Sequence, residues 1–166
     1  MAQVTLHGSP VETNGDLPAV GSTAPDFQLV DGELNEVKLS DFAGKKKVLS
    51  IVPSLDTPTC ATSTKVFNER LGGRDDVVVL VVSADLPFAQ GRFCQAEGTA
   101  DVKTLSMMRS RNFAKDYGML IVDGPLAGIT ARAALVLDEN NKVLHAELVG
   151  EIGDEPDYEA AIAALG

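Results

Sequence analysis

The chain has 166 residues, 45% hydrophobic and 23% charged, enough apolar material for a packed core and too much for a disordered tail. Its formal net charge of -10 opposes phosphate backbones and anionic lipid surfaces, which argues against nucleic-acid or membrane-surface binding. No basic stretch at the N-terminus leads into a long apolar run, and no segment approaches the ~18 apolar residues of a membrane helix. A cytoplasmic location and one domain over residues 1–166 are the expectations. In a reducing compartment Cys60 and Cys94 are not a permanent staple; they are either small buried hydrophobes or working thiols.

In chain order, residues 4–6 and 11–13 flank His7-Gly8-Ser9-Pro10 as an N-terminal β-hairpin. Residues 16–25, with Pro18, Gly21 and Pro25, read as a connector, and 27–30 and 37–39 as short extended pieces. Lys45-Lys46-Lys47 reads as a solvated turn. The apolar run 48–52 has the pattern of a strand buried on both faces. A loop follows, then a helix over about 59–71 that stops before Gly72-Gly73. A second buried strand spans 77–82. A helix over about 86–95 has Asp85 as its N-cap candidate and Pro87 in its first turn.

Residues 111–117 are a short helix candidate ended by Gly118. Residues 133–137 and 143–149 make a hairpin around residues 138–141, and a closing helix over 158–165 follows Pro156. The order is β-α-β-α, an insert, then β-β-α. Two buried strands joined by a helix imply a right-handed parallel crossover, to which the late hairpin adds antiparallel strands. A mixed α/β sheet with helices on both sides and an N-terminal hairpin is the thioredoxin-like arrangement.

Cys60 follows the C-terminal end of a buried strand and falls in the first turn of a helix. Thr57 suits the N-cap and Pro58 the first helical position. The sulfur thereby comes near unpaired backbone N–H groups, which favour a thiolate. Ionisation alone explains little rate. An ordinary thiol with a pKa of about 8.5 is about 3% ionised at pH 7, so complete ionisation gains at most ~30-fold. The lower basicity of the thiolate takes back roughly tenfold. A fast reaction with a peroxide needs donors aimed at the breaking O–O bond. Thr57, the helix-start N–H groups and a cation could supply them. Arg132, at the start of the 133–137 strand and beside the strand leading into Cys60, is the candidate cation; on position alone it is a solvated strand-end arginine.

Pro53-x-x-x-Thr57-x-x-Cys60 resembles the peroxiredoxin active-site pattern. PSLDTPTCATS, SADLPFAQGRFC, DGPLAGITARA and ELVGEIGDEPDYEAA resemble blocks of the bacterial thiol peroxidases, an atypical two-cysteine group, and the resemblance covers essentially the whole chain. It implies a peroxidase acting on hydrogen peroxide and organic hydroperoxides. Cys60 would be oxidised to a sulfenic acid, Thr57 and Arg132 would orient and polarise the peroxide, and Pro53 would shield the pocket. Cys94 would resolve the product as an intramolecular disulfide. The resemblance also implies recycling by thioredoxin and a homodimer, with no intrinsic metal, flavin or haem. A disulfide needs Cα atoms about 4.4–6.8 Å apart, so local unwinding around both cysteines is expected on oxidation. The Ser106-Met107-Met108-Arg109 segment is richer in methionine than the family pattern; it either lies near the pocket mouth or is a packing change.

A thioredoxin-like disulfide oxidoreductase would carry C-x-x-C where this chain has Thr57-Pro58-Thr59-Cys60, and a proline where it has Thr130-Ala131-Arg132. A redox sensor is the other alternative, separated from a peroxidase by turnover. His7 and His145 have no metal-ligand spacing and read as surface residues.

Overall fold

A computed structural model describes residues 1–166. In chain order its elements are β1 (Gln3–Leu6), β2 (Ser9–Glu12), β3 (Gln28–Val30), β4 (Glu36–Lys38), a single 3-10 turn (Leu39–Phe42), β5 (Lys46–Ile51), α1 (Pro58–Leu71), β6 (Val77–Ser83), α2 (Pro87–Glu97), β7 (Lys103–Ser106), α3 (Asn112–Asp116), β8 (Ala133–Leu137), β9 (Val143–Leu148) and α4 (Tyr158–Leu165). β1 and β2 form a separate hairpin; the other seven strands form one sheet in the order β4-β3-β7-β6-β5-β8-β9.

The two apolar runs lie at the centre of this sheet. β5 and β6 pair in parallel from Lys46↔Val77 to Ile51↔Val82, with α1 as the crossover. β8 runs antiparallel on the other side of β5, placing Ala133 opposite Ile51. Successive side chains of a strand point to opposite faces. Val48 and Val52 accordingly pack with Phe67 and Leu71 of α1 and Ala161 and Leu165 of α4, whereas Leu49 and Ile51 pack with Phe27, Phe113 and the hairpin residues Val4 and Val11. Helices thus cover both faces, as expected of a thioredoxin-like sheet.

One strand was not legible in the sequence. β7 lies in the stretch read as an insert and pairs in parallel with β6 from Leu80↔Lys103 to Ser83↔Ser106. Its four residues contain a single large apolar side chain, Leu105, so pairing rather than composition makes it a strand.

The basic run is also more ordered than a solvated turn. Lys46 Nζ donates to the Leu165 carbonyl at 2.6 Å, where the C-terminal end of α4 favours a cation. Lys47 is fully buried, its ammonium donating to the carbonyls of Asp138 and Glu139 in the β8–β9 turn. Burial lowers its pKa, and the charges of Asp138 and Glu139 partly offset that.

The N-terminal hairpin turns on two residues, not four. His7 and Gly8 both have positive φ, 51° and 81°, as a tight hairpin turn requires, and Pro10 becomes a strand residue opposite Thr5. Pro10 costs no ladder bond there. The Thr5 backbone is turned outward, its N–H donating to Gly150 O and its C=O accepting from Ile152 N, both at 2.8 Å.

Glu151 reinforces this docking by accepting from Gly8 N at 2.8 Å and Gly153 N at 3.2 Å. Those N–H groups, Gly8 first, hold its carboxyl below the usual carboxylate range. A depressed folded-state pKa contributes stability above the ordinary value and loses it as pH falls through the folded value. Between about pH 6 and pH 3, thermal melts of wild type should lose more stability than those of Glu151→Gln. Equal losses would show that this carboxylate does not hold the hairpin.

Candidate active site

The segment between β5 and α1 is fixed at both ends. Val52 N continues the ladder to Val82 O at 3.0 Å, and Val52 O accepts from Thr130 Oγ1 at 3.1 Å. Pro53 follows and is buried. Thr57 occupies the N-cap position with an extended backbone, but its hydroxyl does not cap the helix. It donates instead to Ser54 O at 2.9 Å. One donation leaves a hydroxyl its acceptor lone pairs, and in Thr57 they remain uncommitted.

Cys60 is the third residue of α1 and has no solvent exposure. It packs among Val48, Val52, Leu55, Phe67 and Val136. Pro58 lacks an N–H, and those of Thr59 and Cys60 have no backbone acceptor, so the turn that carries the thiol presents positive dipole ends. The helix above it is locally weak. Thr62, Ser63 and Thr64 turn their hydroxyls back onto the carbonyls of Pro58, Cys60 and Cys60 at 2.9–3.1 Å, and all three residue types are mediocre helix formers.

Arg132 departs from its expected solvated state. It is only 3% exposed, its Nε donates to Ile152 O at 3.0 Å, and its Nη1 is buried without a partner. The next carbonyl, Gly153 O, accepts from Thr59 Oγ1 at 2.8 Å. Consecutive carbonyls of the β9–α4 loop thus hold the arginine on one side and the residue before Cys60 on the other. Tyr158 is close to both the Arg132 charge and α1. Its ring stands edge-on to Phe67 at 5.2 Å, and the Arg132 charge opposes the upward shift that burial, then the Glu155 hydrogen bond, give its phenol. A buried guanidinium donor without a partner costs free energy unless a ligand or water meets it.

Cys94 lies on α2, half-buried, and with Phe93 packs against the same apolar cluster that encloses Cys60. Both cysteines are free thiols. A cleft of about 540 Å³ separates the two segments, lined by Ser54, Leu55 and Asp56 on one side and Ala89, Arg92 and Phe93 on the other. Cys94 follows the buried Gln90 by one helical turn.

Asp85 does not take the N-cap role that its place before α2 suggests. Leu86 holds the N-cap position of α2, and the Asp85 carboxylate instead accepts from Ser54 Oγ, Leu55 N and Ser83 Oγ. Its only sequence signal was its place just beyond a buried strand, which equally suits a cap. Met107 is buried with Leu29, Phe113 and Leu105 on the sheet face opposite Cys60, so its presence is a matter of packing, whereas Met108 is exposed. His7 is an exposed turn residue, whereas His145 is half-buried in β9 with Nε2 unpartnered.

Comparison with known proteins agrees with this geometry. The redoxin family model matches residues 19–162. The thiol peroxidase of Mycobacterium tuberculosis is 52% identical over 166 residues, covering 100% of this chain and 99% of that protein. Among solved structures, a peroxiredoxin-like protein from Aquifex aeolicus superposes with a TM-score of 0.93 at 41% identity, covering 99% of this chain and 96% of its own. A thiol peroxidase from Chromobacterium violaceum gives 0.88 at 27% identity, with 98% and 94% covered. The chain therefore belongs to the redoxin family and, within it, to the thiol peroxidases of the peroxiredoxin class.

Proposed function

We propose that this peroxidase reduces hydrogen peroxide and organic hydroperoxides at Cys60. The Cys60 thiolate attacks the terminal peroxide oxygen. The O–O bond breaks, the sulfur becomes a sulfenic acid, and the alkoxide or hydroxide leaves with a proton. The observation that carries this reading is that a buried helix-start thiol and the buried, unpartnered Nη1 of Arg132 follow from the paired ends of β5 and β8, where Ile51 lies opposite Ala133. That N–H is positioned to stabilise charge developing on the peroxide oxygens, and the low-dielectric surroundings strengthen the effect. Thr57 Oγ1, its proton already given to Ser54 O, accepts a hydrogen bond from the peroxide and so orients it. Pro53 keeps bulk water from the thiolate.

In the second step Cys94 attacks the sulfenic sulfur, a disulfide forms and water leaves. The back-bonded Thr62–Thr64 turn favours unwinding at Cys60, and the half-buried seat of Cys94 within α2 calls for α2 to open as well. Thioredoxin, itself a dithiol, then reduces the exposed disulfide. The working unit is one domain spanning residues 1–166, acting as a homodimer in the cytoplasm without a bound cofactor. No helix is long and apolar enough to cross a membrane.

The decisive assay couples thioredoxin, thioredoxin reductase and NADPH to excess peroxide. Wild type should turn over many times, Cys60→Ser not at all, and Cys94→Ser should undergo one oxidation without thioredoxin-driven cycling. Unchanged coupled turnover in Cys94→Ser would remove that residue from the cycle. Absence of turnover in wild type, followed by a single stoichiometric oxidation, would favour a sensor. Arg132→Met should slow the second-order reaction with peroxide by about 10²–10³ while the protein stays folded, the range for loss of one preorganised donor. A rate constant equal to wild type would exclude Arg132 from the reaction.

A further inference from the structure

Asp85 joins the two segments that carry the cysteines. Its Oδ1 accepts from Ser54 Oγ at 2.7 Å, and its Oδ2 accepts from Leu55 N at 2.8 Å and Ser83 Oγ at 2.7 Å. Ser83 Oγ in turn accepts from Gln90 Nε2 at 3.0 Å, and the same amide nitrogen donates to Leu105 O at 3.0 Å. The Asp85 carbonyl accepts from Ser106 Oγ at 2.5 Å. Gln90 is fully buried on α2, one helical turn before Cys94. A continuous run of hydrogen bonds therefore leads from the Cys60 loop through Asp85 and Ser83 into the Cys94 helix. Bonds to an ionised carboxylate are its strongest links.

We infer that Asp85 is a positioning residue that latches the Cys60 loop to α2 and thereby sets the fate of the Cys60 sulfenic acid. The inference rests on the disulfide step proposed above. Two reactions compete for that sulfenic acid. In one, the Cys94 thiol forms the disulfide and releases water. In the other, a second hydroperoxide transfers an oxygen atom, giving the sulfinic acid and an alcohol or water. Only the first requires both segments to unwind. A firm latch keeps the loop ordered for peroxide attack and slows resolution; a loose one favours the disulfide.

Gly91 opposes the latch. It is an exposed residue inside α2, and a Cβ built there meets nothing within 4 Å. Packing does not require a glycine at this point. Its effect is to weaken the helix between Gln90 and Cys94 relative to alanine.

The test uses the reduced full-length chain mixed with graded hydrogen peroxide and quenched in acid. Mass spectrometry then measures the ratio of Cys60–Cys94 disulfide to Cys60 sulfinic acid. Asp85→Asn keeps the side-chain size but presents an NH₂ to one of the donors. It should raise the ratio about three- to tenfold, the range one net hydrogen bond can supply. Ser54→Ala removes one of the three bonds Asp85 accepts, together with the bond from Asp56 N to Ser54 Oγ, and should raise it less. Gly91→Ala should lower the ratio even though its Tm rises. Val37→Ala, in β4 at the far edge of the sheet, should lower Tm and leave the ratio unchanged. An unmoved ratio in Asp85→Asn, or an equal rise in Val37→Ala, would overturn the latch alone. Absence of the disulfide in wild type would overturn both the latch and the reading on which it rests.

Discussion

The packing around Cys60 is the constraint on which the rest depends. A fully buried thiol is protected from water, and its helix-start dipoles and arginine act in a medium that screens them poorly. The same burial keeps it from any second thiol. In the proposed cycle the site must hold together for one step and come apart for the next, which sets a limit on how far stability around Cys60 can be raised.

The fold places both demands at the carboxyl edge of the central strands. β5 delivers the Pro53–Thr57 loop, β6 delivers Asp85 and α2, and Arg132 immediately precedes β8 beside them. The β9–α4 loop serves as a brace, since the Ile152 and Gly153 carbonyls fasten Arg132 and Thr59 in a single stretch of backbone. The N-terminal hairpin supports that brace from outside through Thr5 and Glu151. Rigid strands thus fix the cation, while the thiol sits on a helix whose first turns are rich in back-bonded hydroxyls.

Features governed by local chemistry could be read from the sequence. The β5 and β6 runs, the α1 start at Pro58 and the β8–β9 hairpin follow from apolar runs, caps and turn residues, and they place Cys60 and Arg132 at the same sheet edge. What the sequence withheld depends on contacts made from afar. β7 is polar apart from Leu105 and owes its strand character to β6. Lys47 disappears beneath a turn about ninety residues onward in the chain, and its flanking lysines gave no sign of it. Arg132 loses its solvent to a loop contributed by residues 150–153. Asp85 has the local pattern of a helix cap, and only the arrival of Ser54 and Leu55 assigns its carboxylate elsewhere.

In the proposed cycle the cysteine-bearing turns are ordered in the reduced protein and unwind when the disulfide forms. Amide hydrogen exchange on the reduced and peroxide-oxidised forms tests it most directly. Protection should fall on oxidation in the first turns of α1 and around Cys94 in α2, while the central strands β5, β6 and β8 keep theirs. A protein that has formed the Cys60–Cys94 disulfide yet retains full protection in both helices would contradict the account.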